Sequence, residues 1–245
     1  MIEVTTANSV TTILLDRGEK RNAMLPGMLK EFEAAVRGIG DETRAVVVGG
    51  KGKVFCAGFD LKACAADESG DTMRALLTGL SGCVVAMREC PVPVVLGVHG
   101  CAIAGGCAML GGADVVVADQ AAKLGYPVVK IGVSPAVSAA FLMSAVAHGA
   151  GRALMLDPGL IDGSRAFALG LVHELVEVAE DVGARAGAIA AGIAGKPGVG
   201  ARATKGLLNE LTEGMAGNAG IGLETSLSRV GSDEERAMLG AVWGS

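Results

Sequence analysis

The pattern of apolar and polar positions divides the first part of the chain into alternating strands and helices. Two short apolar runs, Ile2–Ala7 and Ser9–Asp16, predict a pair of strands. Residues Pro26–Ile39 repeat their apolar positions at helical spacing, and Thr72–Glu89 does the same after an intervening strand at Arg44–Val48. This alternation of strands with amphipathic helices predicts an α/β fold.

The most informative stretch lies between two further predicted strands, Val94–Val98 and Val115–Val117. Gly100–Asp114 contains a glycine turn followed by a short apolar helix, and it has no acidic residue before Asp114. The first turn of a helix has backbone N–H groups without partners. Such groups are suited to hold an oxygen atom that carries negative charge.

The strand pattern ends near Glu180, and three helices are predicted after it. They cover Asp181–Ala194, Ala201–Glu213 and Ala219–Val230. We therefore divide the chain into an α/β core at residues 1–178 and a helical C-terminal part at residues 179–245. Trp243 near the end is expected to be exposed or to take part in assembly.

Composition and charge exclude several classes of protein. The net charge is −5 and no basic cluster is present, so we expect no nucleic-acid partner. Residues Cys90–Ala113 carry no charge, but prolines and glycines interrupt them, so we expect no membrane span. The N-terminus lacks the pattern of a secretory signal, which favours a cytoplasmic location. The six cysteines have no metal-ligand spacing and are expected to be reduced and buried.

Two glycine-bearing turns are candidates for chemistry, residues 56–61 (Cys-Ala-Gly-Phe-Asp-Leu) and 104–106 (Ala-Gly-Gly). Neither matches a dinucleotide-binding or phosphate-binding loop. Together with residues 16–24, 52–61 and 98–107, however, they resemble the crotonase superfamily, which is the enoyl-CoA hydratase/isomerase family. The segments at 122–127 and 131–135 extend this resemblance.

The resemblance implies a spiral of ββα units that buries an acyl-CoA thioester. Coenzyme A would be part of the substrate, so no separate cofactor and no metal are expected. The helical C-terminal part would assemble the chain into a homotrimer or a dimer of trimers. Lyase or isomerase chemistry of fatty acid metabolism is the expected activity.

By motif position, the resemblance assigns an oxyanion hole to two backbone N–H groups, those of Phe59 and Gly105. Negative charge builds on the thioester oxygen as an enolate forms, and one such donor is worth about 3–4 kcal/mol. Further substrate contacts are implied along the two segments that would hold coenzyme A. These positions are Lys20, Arg21, Ala23, Ala57, Asp60, Leu61 and Lys62, of which the three basic residues are candidate phosphate partners.

Three positions depart from the pattern of the family. Ala108 and Val128 stand where hydratases have their two glutamates, and Ala136 stands where several isomerases have an acidic residue. All three remain candidates for lining the acyl group. Because a positioned acid or base contributes about 10²–10⁴-fold, their replacement leaves the acid/base group of any reaction unknown.

Several other groups are weighed as replacements. Asp60 is expected to be structural, while Asp67 and Glu68 lie on a segment expected to be mobile. Tyr126 is expected to pack or hydrogen-bond near the acyl group. The same is expected of two serines, Ser134 and Ser138.

None of the three histidines is a favoured base. His99 is expected to lie buried beneath the glycine turn. His148 and His173 are expected in solvent or interface positions.

Three functions therefore remain open. The first is an acyl-CoA hydratase or isomerase with an unidentified proton carrier. The second is decarboxylation of a malonyl-type CoA ester, because Pro127-Val128 is similar to the corresponding pair in methylmalonyl-CoA decarboxylase, and this reaction needs no base. The third is an acyl-CoA-binding protein that retains the site without catalysis.

Overall fold

The computed structural model describes residues 1–157, 159–233 and 237–238. It therefore leaves Trp243 outside the described residues. Nine strands are present in this part of the chain: β1 (Ile2–Ala7), β2 (Val10–Leu15), β3 (Ala45–Gly50), β4 (Val94–Val98), β5 (Cys101–Ile103), β6 (Val115–Asp119), β7 (Lys123–Gly125), β8 (Ile161–Asp162) and β9 (Glu174–Val176). The strands predicted before residue 120 are confirmed to within about two residues at either end.

Ten α-helices accompany these strands in the described residues. They are α1 (Pro26–Arg37), α2 (Leu61–Ala65), α3 (Asp71–Glu89), α4 (Gly105–Ala108), α5 (Ala136–Ala145), α6 (His148–Leu156), α7 (Gly163–Ala168), α8 (Asp181–Ala194), α9 (Gly198–Leu211) and α10 (Glu213–Leu227). Short 3₁₀ turns occur at Gly18–Lys20, Met109–Gly112 and Pro127–Ile131. The predicted helix at Asp181–Ala194 has the observed limits.

A six-stranded sheet in the order β1-β2-β3-β4-β6-β9 forms the centre of the fold. Only the β1–β2 pair is antiparallel; every other neighbouring pair is parallel, with Val46 opposite Val94 and Val95 opposite Val115. Strand β4 is buried along its whole length. This explains its continuous apolar sequence, because parallel strands covered on both faces have no polar side.

Helices cover both faces of this sheet. On one face, α1 and α3 pack against the larger core, to which they contribute Phe32 and Leu76. On the other face, α8 packs against β3, β4 and β6 through Val182, Ala186 and Ala190. Helix α8 thus closes the second layer of the sheet, and the proposed boundary at residue 178 stays a prediction.

A second sheet of three short strands, in the order β5-β7-β8, was not predicted. These strands have only two or three residues each, which is too few to produce a recognisable alternation. Strand β5 pairs in parallel with β7 and leads directly into α4. The small sheet therefore positions the glycine turn at the start of α4.

The remaining differences lie in the second half of the chain. Helix α9 begins at Gly198, directly after Pro197, and not at Ala201 as predicted. The helix predicted at Ala219–Val230 is observed as α10, which begins at Glu213 and ends at Leu227. Helix α5 was not identified, since apolar residues lie on every side of it and no polar face marks the helical repeat. No helix among the described residues is long and apolar enough to cross a membrane.

Candidate active site

The two glycine-bearing turns lie against each other in the structure. The N–H of Cys56 donates to the carbonyl of Cys101 (3.0 Å), and the N–H of Ile103 donates to the carbonyl of Cys56 (3.0 Å). A Cβ atom at Gly106 would lie 2.7 Å from the carbonyl oxygen of Cys56. Only glycine permits this approach, so the sequence Ala-Gly-Gly brings the second turn onto the first.

Each turn contains a backbone N–H group that has no acceptor among the described residues. The residues on either side of Phe59 both bond to the backbone of Met24. The carbonyl of Gly58 accepts from the N–H of Met24 (2.8 Å), and the N–H of Asp60 donates to the carbonyl of Met24 (3.0 Å). The N–H of Phe59 itself has no acceptor among the described residues, and neither does that of Gly105. A Cβ atom at Gly105 would lie 3.0 Å from the Phe59 ring, so the two residues are direct neighbours.

The chain reverses at Ala104, which is the residue immediately before the unpaired N–H of Gly105. Ala104 has a φ of 53°, a left-handed conformation that is strained for a residue with a Cβ atom. Its N–H donates to Gly125 of β7 (2.8 Å), and its carbonyl accepts from Ala108 (3.0 Å). These bonds hold the reversal in place and start α4 at Gly105.

The first turn is held from beneath by Asn22, which is fully buried. Its Nδ2 group donates to the carbonyls of Lys51, Val54 and Phe55 at 2.9–3.0 Å. The main-chain carbonyl of Asn22 accepts from the thiol of Cys56 (3.2 Å). Sequence reasoning missed Asn22 as a positioning residue, although it lies inside one of the segments that carry the family resemblance.

The thiol of Cys56 links Asn22 to the turn that carries Phe59. Its Sγ atom accepts from the N–H of Gly58 (3.4 Å), the residue before Phe59. Burial raises the pKa of the Cys56 thiol to about 12, so it stays protonated at neutral pH. Cys56 therefore acts as a hydrogen-bonding group and not as a nucleophile.

Asp60 is structural in this arrangement, as predicted. Its carboxylate accepts from the N–H of Ala63 at the start of α2 and forms an ion pair with Arg17 (2.9 Å). Burial raises the pKa of the Asp60 carboxyl, but the hydrogen bonds from Arg17 and Ala63 outweigh it, and the pKa lies below its ordinary value. Asp60 is thereby held as an ionised cap and is not poised to carry a proton.

A cavity of about 390 Å³ opens beside the two free N–H groups. Its walls come from the two turns, from α3, from the 3₁₀ turn after Tyr126 and from the start of α5. The lining residues are Ala57, Phe59, Leu61, Met73, Leu77, Leu80, Ile103, Ala104, Gly105, Tyr126, Pro127, Val128, Lys130, Ile131, Val133, Ser134, Pro135, Val137 and Ser138. We call this space the acyl cavity, and among its described lining residues none is an aspartate or a glutamate.

The structure brings five of the predicted site residues together in this cavity. They are Ala57, Phe59, Leu61, Gly105 and Val128. The apolar face of α3 was predicted only as core. Its regular spacing is the signal that could also have identified the cavity wall formed by Met73, Leu77 and Leu80.

The remaining predicted positions lie outside the acyl cavity. Lys20, Arg21 and Lys62 are exposed on neighbouring surface segments, and Ala23 is partly buried between them. Ala108 is buried and lines a second cavity next to the first. Ala136 borders a groove between α5 and α10.

The acidic segment before α3 supplies no carboxylate to the described lining of the acyl cavity. The carboxylate of Asp67 accepts from Ser69 and Thr72. These hydrogen bonds lower the pKa of Asp67, and the one from the Ser69 side chain has the largest effect. Glu68 is exposed and does not line the acyl cavity.

The prediction that His99 is buried beneath the turn is wrong. His99 is only partly buried, and its Nε2 atom lies 3.1 Å from the carbonyl oxygen of Gly52. The reason is that Val98 ends the buried strand, so the chain has already reached the surface loops at His99. His148 is exposed, in agreement with its predicted solvent or interface position.

Tyr126 is the largest polar side chain in the acyl cavity. Its hydroxyl donates to the carbonyl of Cys107 (3.4 Å). Burial, and then the neighbouring Cys107, raise the pKa of Tyr126 well above its ordinary value. Tyr126 can therefore donate a hydrogen bond but is not a base at neutral pH.

Comparison with known proteins now assigns the family. The family model described as Enoyl-CoA hydratase/isomerase matches residues 5–238. The chain belongs to this family. The predicted resemblance to the crotonase superfamily is thereby confirmed.

Individual members of the family support the assignment. A probable enoyl-CoA hydratase of Mycobacterium tuberculosis is 34% identical over 183 residues, which are 74% of this chain and 72% of the relative. A second one from the same organism is 34% identical over 191 residues, covering 77% and 73% of the two chains. The crystal structure of an enoyl-CoA hydratase/isomerase from Xanthobacter autotrophicus Py2 is 29% identical and has a TM-score of 0.90, covering 99% and 93% of the two chains. The family fold, with its C-terminal helices, is therefore confirmed for this chain.

Proposed function

We propose that this protein binds an acyl-CoA thioester, with the acyl group in the acyl cavity and the thioester oxygen on the N–H groups of Phe59 and Gly105. The two unpaired N–H groups beside one apolar cavity carry this proposal. Donors that are fixed before the substrate arrives stabilise charge that develops on the oxygen. The expected chemistry is therefore the formation of a thioester enolate.

Coenzyme A would lie outside the cavity, along the exposed residues Lys20, Arg21 and Lys62. None of these side chains has an ion-pair partner among the described residues, so each is available to a phosphate group. Their exposure predicts modest individual contributions to affinity that weaken as salt is added.

The absence of a carboxylate from the described lining argues against hydration by the usual pair of glutamates. Val128 lines the cavity at one of these positions, while Ala108 lies outside it. Water addition needs a base for the water and an acid for Cα. We therefore expect no hydration of crotonyl-CoA at the rates of an efficient hydratase.

The experiment that tests the oxyanion hole is infrared spectroscopy of a bound, saturated acyl-CoA with a ¹³C-labelled thioester carbonyl. Hydrogen bonds from both N–H groups should lower the carbonyl stretching frequency relative to free ligand in water. The matched ligand is the thioether analogue, which lacks the carbonyl and should bind more weakly. Equal affinity for the two ligands, or an unshifted carbonyl band, would contradict the proposed function.

One further activity is favoured by the same cavity, namely decarboxylation of a malonyl-type CoA ester. The bond between Cα and the carboxylate carbon breaks, its electron pair forms the thioester enolate, and CO₂ leaves. Cα then takes a proton from solvent, so no protein base is required. Lys130 is the charged residue among the described lining residues, and the remaining walls would leave the substrate carboxylate poorly solvated.

Chromatography of the CoA esters distinguishes these activities. Decarboxylation predicts that malonyl-CoA or methylmalonyl-CoA is converted to the shorter ester, while crotonyl-CoA is unchanged. Tight binding of saturated acyl-CoA without turnover of either ester would favour a binding protein. Rapid formation of 3-hydroxybutyryl-CoA would contradict our inference that the site lacks a hydratase base.

A further inference from the structure

A second cavity of about 260 Å³ adjoins the acyl cavity. Tyr126 and Ser138 line both cavities, so these two side chains stand between the two spaces. Ala108 lines the second cavity with only a methyl group, at a position where the family resemblance places a glutamate in hydratases. We call this space the distal cavity.

The distal cavity contains one cation that has no counter-ion among the residues described by the structure. Arg88, in the last turn of α3, is partly buried and lines the cavity. Its guanidinium group forms no ion pair or hydrogen bond with the residues that the structure describes; only its main-chain carbonyl does, accepting from Asn209 (2.8 Å). A guanidinium group offers five N–H donors in a planar arrangement that matches a carboxylate.

The carboxylate that also lines the distal cavity is engaged through one of its two oxygen atoms, Oδ2. Asp114 accepts from the main-chain N–H of Val94 (2.7 Å) and from the ammonium group of Lys205 (2.8 Å). Lys205 is almost completely buried and offsets the charge of Asp114 directly. Asp114 therefore does not neutralise Arg88, and the cavity retains a net positive charge.

Two uncharged donors face the same space. The Nδ1 atom of His173 accepts from the N–H of Val116 (3.0 Å), which places the ring proton of the neutral imidazole on Nε2. His173 is exposed as a residue, in agreement with its predicted solvent or interface position, and the partial burial of its ring lowers its pKa, which favours this neutral form. Ser138 is only 5% exposed, and its hydroxyl has no partner among the described residues.

The other hydroxyls at this cavity already have acceptors. Ser144 donates to the carbonyl of Phe141 (2.7 Å), and Thr212 donates to that of Leu208 (2.8 Å). Among the described residues, the free polar groups are the donors of Arg88, His173 and Ser138 and the Oδ1 atom of Asp114, whose charge Lys205 offsets. Oxygen acceptors satisfy these donors, and an anionic oxygen also compensates the charge of Arg88.

We propose that the distal cavity binds a carboxylate group, and that this group is the far end of a dicarboxylic acyl chain whose thioester lies at Phe59 and Gly105. The location favours this source, because Tyr126 and Ser138 border both cavities. The small side chain of Ala108 leaves room beside them. The proposal rests on the proposed function and narrows its substrate class to ω-carboxyacyl-CoA esters.

Calorimetric titration with two series of ligands tests this substrate class. One series contains saturated acyl-CoA esters, and the other contains ω-carboxyacyl-CoA esters of matched chain lengths. At the length that spans the two cavities, the ω-carboxy ester should bind at least about tenfold more tightly than its saturated counterpart. The ω-methyl ester of the same acyl chain, which has no charge, should lose this advantage.

Two variants and one control connect the advantage to the distal cavity. Arg88→Gln should weaken binding of the ω-carboxy ester by about 10- to 100-fold and change binding of the saturated ester less than about twofold. Ser138→Ala should have a smaller effect of the same kind. Arg74→Gln is the control, because Arg74 lies on the same helix but lines neither cavity.

The outcomes separate this proposal from the proposed function. Saturated esters that bind normally, without any preference for an ω-carboxy ester, would overturn the dicarboxylic substrate alone. Failure of every ester to bind would overturn the proposed function. If free glutarate binds to the complex with a saturated ester, and Arg88→Gln abolishes that binding, the carboxylate site is supported but its assignment to the acyl chain is overturned.

Discussion

Gly105 and Gly106 are adjacent in the turn that begins α4, but their surroundings differ. A Cβ atom at Gly105 would meet the ring of Phe59 at 3.0 Å and a methyl group of Leu80 at 3.4 Å, both on side chains. A Cβ atom at Gly106 would meet the backbone carbonyl of Cys56 at 2.7 Å. Side-chain atoms can shift by a few tenths of an ångström, whereas this backbone is held by hydrogen bonds from both turns.

Substitution by alanine should therefore separate binding from stability. We expect the free energy of unfolding of Gly105→Ala to lie within about 1.5 kcal/mol of the wild-type value. The infrared shift of the thioester carbonyl should decrease, because the Phe59 ring must move beside the donor. Gly106→Ala should lose about 1–3 kcal/mol of stability in urea unfolding through overpacking. Equal losses of stability in the two variants would contradict this interpretation.

Cys56 offers a second test at the level of one residue. Its Sγ atom accepts from Gly58 and donates to Asn22, so Cys56→Ala removes both bonds. The buried N–H of Gly58 then has no partner, which should cost about 1–3 kcal/mol and loosen the position of Phe59. The infrared shift of the bound thioester should decrease, and Cys56→Ser should restore part of it. A full shift in Cys56→Ala would show that this thiol only fills space.

Among the elements, α9 depends on one buried ion pair. The ammonium group of Lys205 donates to the carbonyls of Met87 and Val92, both at 3.1 Å, and to the carboxylate of Asp114. Lys205→Met leaves three acceptors without their donor, and we expect a loss of about 3–5 kcal/mol in urea unfolding.

Arg185→Met is the control for the lysine variant. Arg185 pairs with Glu174 at the surface, where both side chains are more than a third exposed, so the change should be within about 1 kcal/mol. A comparable loss in both variants would contradict the anchoring role of Lys205.

The elements also show what sequence patterns could and could not provide. Helix α3 was predicted almost to the residue, because its buried positions recur every three or four residues and glycines and prolines flank it. Helix α5 has apolar residues on every side and two serines as its polar residues, so no apolar face was distinguishable from a polar one. The position of Ala108 in a neighbouring cavity depends on how α4 packs against α5, which local sequence does not determine.

The whole molecule leaves an apolar surface on its C-terminal helices. Val199, Leu207, Leu208 and Leu211 of α9 are between 54% and 84% exposed, and Ile221 of α10 is 64% exposed. Large exposed apolar groups of this kind favour association. The homotrimer or dimer of trimers expected from the family resemblance stays a prediction, and this surface is where we expect the contact.

Light scattering coupled to size-exclusion chromatography tests the expected assembly. We expect a trimer or hexamer for the wild type and a smaller species for Leu211→Glu, because a charge would be buried in the contact. Val4→Glu is the matched control, since Val4 is 49% exposed on the edge strand β1. A monomeric wild-type protein would contradict the predicted assembly.

The stability of the whole molecule should fall at alkaline pH because of its buried thiols. Burial raises the pKa of Cys56 and Cys83 to about 12 and that of Cys107 to about 11, from an ordinary value of 9.0. Above pH 9 the unfolded chain loses these protons while the folded chain keeps them, so deprotonation stabilises only the unfolded state. Each thiol should lower the free energy of unfolding by up to about 1.4 kcal/mol per pH unit between pH 9 and the folded pKa.

Urea unfolding under reducing conditions at several pH values between 7 and 11 measures this dependence. The contribution of the thiols to the free energy of unfolding should be nearly constant below pH 8. Above pH 9 the free energy of unfolding should decrease progressively. Burial also raises the pKa of Cys90 and Cys101, so Cys83→Ala removes one of five thiols with a raised pKa. The slope above pH 9 should therefore decrease by up to about 1.4 kcal/mol per pH unit, even if the variant is less stable at pH 7. An unchanged slope in Cys83→Ala would mean that other groups cause the alkaline loss, among which Tyr126 is the next candidate because burial also raises its pKa.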